Sequence, residues 1–203
     1  MRNQIGSILI LFTILLVEVL IIYFICYKIH MTQHADRVEK QEIDTFAKYI
    51  RQDMRFFPIS KKYRDKVFFE DSYGACRGTG EHEGCDVMYD ENIAGVVPII
   101  SATDGIITNL GWLHLGGYRV GITSYNDIYY YYAHFDSCAP GLFVGKEVKA
   151  GEFLGFMGNT GEGEEGTKGK FPVHLHFGIY VGNQKGDETT VNPYQYLLEI
   201  NEE

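Results

Sequence analysis

A chain of 203 residues has room for one ordinary domain and a smaller appendage. Its 27 acidic against 18 basic residues give a formal charge of -9. No basic cluster offsets that balance, which excludes a nucleic-acid binder that tracks a phosphate backbone.

The first four residues read as a short cytoplasmic head. From Ile5 to Tyr27 the sequence is almost wholly apolar, interrupted by Ser7, Thr13 and Glu18. As a helix this run reaches about 34 Å, enough for a bilayer core of about 30 Å. A cleaved signal peptide would have a shorter apolar core and a small-x-small cleavage site, and Tyr27-Lys28-Ile29-His30-Met31 offers none. The expectation is a transmembrane anchor over 5–27, with a long buried core helix as the alternative. Glu18 inside it hints at a membrane or envelope protein partner.

Residues 28–66 follow as a juxtamembrane stalk, with His30 and His34 solvated. Ile43, Phe46, Ala47, Ile50 and Met54 recur at helical spacing, and Pro58 ends the pattern.

From residue 67 to 203 the texture changes. All but Gly6 of the 23 glycines lie beyond residue 73 and separate short apolar or alternating runs. Strands are expected over Val67–Glu70, Val96–Ala102, Gly105–Asn109, Tyr118–Ser124, Ile128–His134, Phe153–Met157 and Val173–Val181. Hairpin turns are expected at Asp104-Gly105 and Tyr125-Asn126-Asp127. The spacing predicts a mainly β domain, an antiparallel sheet or sandwich, closed by a short helix after Asn192-Pro193. Cys76, Cys85 and Cys138 allow at most one disulfide within it, and none has zinc-ribbon spacing.

The histidines of this domain carry the chemistry. In Val173–Val181 the alternation puts Val173, Leu175, Phe177, Ile179 and Val181 on one face. His174 and His176 then project together from the other, where two imidazoles can bind a metal or divide metal and proton between them. Alone, His-x-His fits a half-solvated strand equally well. His82-Glu83-Gly84-Cys85-Asp86 places an imidazole and a carboxylate close together, a pair suited to zinc. The glycines around it favour a loop feeding a strand over the helix of a zincin motif. Cys85, next to Asp86, should face the opposite way into the core, and Glu83 reads as solvated or structural. His134 ends an aromatic run whose alternation puts Tyr130, Tyr132 and His134 on one face, where the tyrosines either line a cleft or pack in the core. His114 lacks a partner motif and reads as structural.

Taken in order, His-x3-Asp, Tyr-Ala-His and His-Leu-His-Phe on a glycine-rich β domain resemble the lysostaphin-type or LytM-like zinc metallopeptidases. The resemblance runs from about Phe68 to Tyr196. It takes in the Asp104-Gly105 hairpin, Gly151-x3-Gly155, Gly158-Asn159-Thr160-Gly161 and Val191-Asn192-Pro193-x-x-Tyr196. It implies an enzyme that hydrolyses peptide bonds in bacterial peptidoglycan with one Zn2+ per domain. Carried over by position, His82, Asp86 and His176 match the zinc ligands. His174 matches the histidine that takes the water proton, and His134 matches the partner that orients the nucleophile or steadies the oxyanion.

A catalytically inactive envelope scaffold or regulator of other wall hydrolases, keeping the same fold, is the rival reading; its usual mark is a missing ligand, and all five positions are filled. A peptidoglycan substrate implies a single-pass protein of the bacterial cytoplasmic membrane with its C-terminal domain outside. The loops 74–81, 136–145 and 159–172 are expected to frame the cleft.

Overall fold

The computed structural model describes residues 2–78, 80–182 and 189–201, with side chains from residue 20 onward. They fall into two compact units, Met1–Ala47 and Lys48–Glu203. A single helix, α1 (Arg2–Asp53), makes up the described part of the first unit and supplies the opening residues of the second.

Among the described residues no helix is long and apolar enough to cross a membrane. This corrects the single-pass anchor and the localisation that rested on it. The side chains of 5–19, Glu18 among them, lie outside the described residues.

In the second unit α1 ends at Asp53, short of Pro58. The turn beyond it pairs elsewhere: the N–H groups of Arg55 and Phe56 both donate to the Ala102 carbonyl, at 2.8 and 3.3 Å. Ile50, Met54, Phe57 and Ile59 are buried here. A 3-10 turn, Lys61–Lys66, leads into the strands.

These are β1 (Val67–Phe69), β2 (Cys76–Arg77), β3 (Gly80–Glu81), β4 (Cys85–Tyr89), β5 (Pro98–Ile100), β6 (Gly105–Leu113), β7 (Gly117–Ser124) and β8 (Tyr129–Cys138), then β9 (Glu147–Val148), β10 (Phe153–Met157), β11 (His174–Val181) and β12 (Thr189–Val191). Apart from the β2–β3 hairpin they form one antiparallel sheet, whose main path runs β1-β4-β11-β8-β7-β6-β9. β10 joins β8 to β5, and β12 pairs with β11. A closing helix, α2 (Tyr194–Asn201), begins at Asn192-Pro193 as expected. The Asn192 Oδ1 accepts the Tyr194 N–H at 2.9 Å, an N-cap, and proline suits the first helical position.

One face of the central strands makes the core. Val87, Val120, Ile122, Tyr130, Tyr132, Leu175, Phe177 and Ile179 are fully buried on it. The apolar wall expected of β11 is therefore present. Cys85 is buried as a core thiol, its Sγ directed to the Glu70 carbonyl at 3.4 Å, and burial pushes its pKa up to about 12. Among the described residues all cysteines are free.

β8 breaks its alternation once, where the site needs it. Tyr118 pairs with Phe135 and Val120 with Tyr132, so Ala133 and His134 together oppose Arg119 alone. His134 sits in this bulge with φ 66°, in the left-handed region. The extra residue turns His134 away from the face of Tyr130 and Tyr132. The shared face expected from simple alternation is therefore corrected: those two tyrosines are core, and His134 shares the open face with Tyr129 and Tyr131.

Candidate metal centre and cleft

Strand pairing brings the first two groups together. In the β4–β11 ladder His176 stands directly opposite Asp86, the arrangement in which cross-strand side chains touch. The His176 Nδ1 lies 3.1 Å from Asp86 Oδ1. His82 arrives from the loop between β3 and β4, where its N–H donates to the Ala75 carbonyl and its own carbonyl accepts the Gly74 N–H. Its Nε2 lies 3.0 Å from Asp86 Oδ1 and 2.9 Å from His176 Nδ1.

His176 comes this close because residue 84 is glycine. A Cβ there would stand 2.6 Å from His176 Cε1 and 2.7 Å from the Phe177 carbonyl oxygen, and neither the strand nor the ring can give way by that much.

Proton positions follow from the partners. The Nδ1 atoms of His82, His134 and His174 face backbone carbonyls, those of Ser72 at 2.8 Å, Thr160 at 2.7 Å and Pro172 at 2.8 Å. A carbonyl only accepts, so each Nδ1 carries the hydrogen and each Nε2 presents a lone pair. His82 Nε2 thus turns a lone pair toward the Asp86 carboxylate, and with His176 Nδ1 the three atoms lie within 2.9–3.1 Å of one another. One shared proton can satisfy only one edge of that triangle. A cation bound by all three satisfies it entirely, and two imidazoles with one carboxylate are a ligand set that zinc accepts. The edges are close to the ~3.3 Å between neighbouring ligands when Zn–N and Zn–O bonds are about 2.0–2.1 Å.

Asp86 is poised as an anion. Burial alone would raise its pKa, but the His176 and His82 imidazoles beside it outweigh burial and hold the carboxyl below the usual range. Arg77 pairs with its other oxygen, Oδ2, leaving Oδ1 to the histidines.

His174 and His134 stand beside the triangle. The His174 Nε2 is buried without a hydrogen-bond partner and lies 3.7 Å from Asp86 Oδ1. The two rings are 4.6 Å apart, and Phe171 packs its ring against both. Burial pushes the His134 pKa down to about 3, helped by the nearby His174 and His176, and burial also lowers that of His174.

The five expected site residues therefore converge. Glu83 is exposed, with its carboxylate reached by the Tyr180 hydroxyl at 3.5 Å, and His114 is exposed in the β6–β7 turn. A cleft of about 1050 Å³ opens from the centre across the sheet. Its lining includes Arg77 and Glu81 from one expected loop and Glu162 from another. Segment 136–145 supplies none of it; Leu113, Leu115 and Gly116 of the β6–β7 hairpin stand in that role. Arg119, Tyr129 and Tyr131 also line the cleft, where the sequence gives no expectation of them. A corrected face for β8 would have found the tyrosines.

The sequence profile of Peptidase family M23 matches residues 80–193. A curated relative, the L-Ala–D-Glu endopeptidase of Bacillus subtilis (strain 168), is 36% identical over 144 residues, covering 70% of this chain and 42% of the relative. The chain thus spans less than half the length of that protein. Among solved structures, a candidate glycyl-glycine endopeptidase lytM from Ruminococcus gnavus ATCC 29149 is 47% identical with a TM-score of 0.67, covering 73% of this chain and 61% of that one. The catalytic domain of lysostaphin from Staphylococcus simulans is 26% identical with a TM-score of 0.54, covering 69% and 98%.

Proposed function

The chain belongs to peptidase family M23, and from that premise we propose that it is a zinc-dependent endopeptidase cutting peptide bonds in peptidoglycan. The observation that carries this reading is the triangle of His82 Nε2, Asp86 Oδ1 and His176 Nδ1, two imidazoles and one carboxylate converging as a ligand set that suits zinc. The activities named for the relatives, at L-Ala–D-Glu and glycyl-glycine bonds, support a wall peptide as substrate. All five groups lie within 67–203, which we take as the peptidase domain.

His82, Asp86 and His176 would hold the ion, with Arg77 keeping Asp86 oriented. A zinc ion in such a site supplies a Lewis acid for the scissile carbonyl and water made acidic enough to lose a proton near pH 7. His174, neutral and with its Nε2 unpartnered, takes that proton as the water oxygen bonds to the carbonyl carbon. The same imidazolium then returns the proton to the departing amine as the C–N bond breaks. His134 offers a lone pair at Nε2, because Nδ1 is committed to Thr160. That favours orienting the water by accepting a hydrogen bond over donating one to the oxyanion. The inactive-scaffold reading has less support, since no group that the chemistry needs is missing.

Metal analysis of protein expressed with zinc, joined to mass spectrometry of digested walls, tests the proposal. The expected result is one zinc per chain and new peptide termini. Failure to take up zinc on titration, or walls left intact by the zinc-loaded chain, overturns it.

A further inference from the structure

Arg119 is a cation in the cleft that the chemistry above does not use. It lies on β7 with its side chain lining the same cleft as His176, Tyr129 and Tyr131. Its backbone stands opposite the Ala133–His134 bulge, one strand away from the site. Its Nε is buried and has no hydrogen-bond partner, and among the described residues no carboxylate forms an ion pair with it. Tyr131, whose ring edge meets His176 at 5.8 Å, lies close enough to feel the charge. Burial pushes the Tyr131 phenol up to about 12, and Arg119 pulls against that rise.

A guanidinium held partly out of water without an anion is costly, and such a group is usually matched by a carboxylate or phosphate. The acidic residues that line the cleft, Glu81, Glu83, Asp127 and Glu162, leave it unpaired. Gly116 preserves the arrangement: a Cβ there would lie 2.1 Å from the Tyr131 hydroxyl and displace the ring beside Arg119.

We propose that Arg119 is a specificity residue that receives a free carboxylate of the substrate peptide. This rests on the peptidase reading. The preferred substrate is then a segment with an ionised carboxylate near the scissile bond, rather than an uncharged one such as oligoglycine. One strand spacing is about 4.8 Å and an extended peptide advances about 3.3 Å per residue, so the carboxylate sits within about two residues of the bond. The planar guanidinium suits a bidentate pair, which an ammonium at the same place does not reproduce.

The test uses the zinc-loaded full chain on one wall preparation, before and after its carboxyl groups are amidated with ammonia and a carbodiimide. Release of new amino termini gives kcat/KM on each wall. The wild type should favour the free-carboxylate wall by about tenfold or more, chiefly through KM. That ratio should fall towards one in Arg119→Gln and to an intermediate value in Arg119→Lys. Equal cutting of both walls by the wild type overturns the inference and leaves the peptidase reading standing. So does Arg119→Gln lowering both rates alike, the mark of a merely structural arginine. A zinc-loaded wild type that cuts neither wall overturns the peptidase reading itself.

Discussion

The corner built from Asp86 and His176 rests on a regular antiparallel ladder, whereas the corner built from His134 rests on an interruption of one. In the first, β4 and β11 pair in register, and the pairing alone sets the two side chains face to face. In the second, one extra residue in β8 forces a left-handed backbone and moves a side chain to the opposite face. A ladder gives fixed spacing, which suits groups that must converge on one point. A bulge re-aims a single group at little cost to its neighbours, which suits a side chain that works from outside that point.

The division breaks most sharply under substitution along β11. His176→Ala should abolish both zinc binding and hydrolysis, because it removes one corner of the triangle. His174→Ala should keep zinc and lose about 10²–10⁴ in rate, the range for a group that only transfers a proton. Gly84→Ala should behave like His176→Ala, since the new methyl group occupies the place of the ring. Zinc content and wall hydrolysis measured on the three variants decide it. Equal zinc loss from His174→Ala and His176→Ala would show that the pair had been divided wrongly.

The same contrast explains what could be read from the chain. The ladder side was legible: period-2 alternation put His174 and His176 together, and Gly84 argued for a loop feeding a strand where β4 now begins. α2 was legible because Asn192-Pro193 is a local signal. The bulge was not, since nothing in Tyr-Tyr-Ala-His marks an extra residue. The irregularity comes from the partner strand β7 and from the Thr160 carbonyl that binds His134. The end of α1 was missed for a similar reason, because Ala102 captures its last turn before Pro58 is reached. β2, β3 and β9 have two residues each, too few to show any period. Arg119 carried no local signal at all, because its meaning depends on which neighbours it lacks.

A smaller effect separates the two faces of β8. The Tyr132 hydroxyl accepts the buried Ala102 N–H at 2.9 Å, so Tyr132→Phe leaves that donor unpaired. The expected loss is about 1–3 kcal/mol of stability, with the activity of the folded fraction retained. Tyr131→Phe, on the cleft side, should change stability by no more than about 0.5 kcal/mol and act instead on KM. Denaturant melts and kinetics on the two variants test the assignment of faces. A reversed pattern would return Tyr132 to the cleft and remove the case for a bulge.

The finest test concerns the bulge backbone itself. His134→Ala and His134→Gly lose the same ring, the same contact with Phe171 and the same bond to Thr160, so both should lose the same activity. They differ in what φ 66° costs them. In an ordinary strand, glycine is the worse replacement by about 0.5–1 kcal/mol, because it has more freedom to lose. In the left-handed region the order inverts, since a Cβ meets the following carbonyl at a cost of about 1–2 kcal/mol. His134→Gly should therefore be the more stable of the two by about 1 kcal/mol in urea unfolding. Alanine proving the more stable would mean that residue 134 continues a regular strand. His134 would then point to the core side with Tyr132, and the site would lose its second proton-handling group.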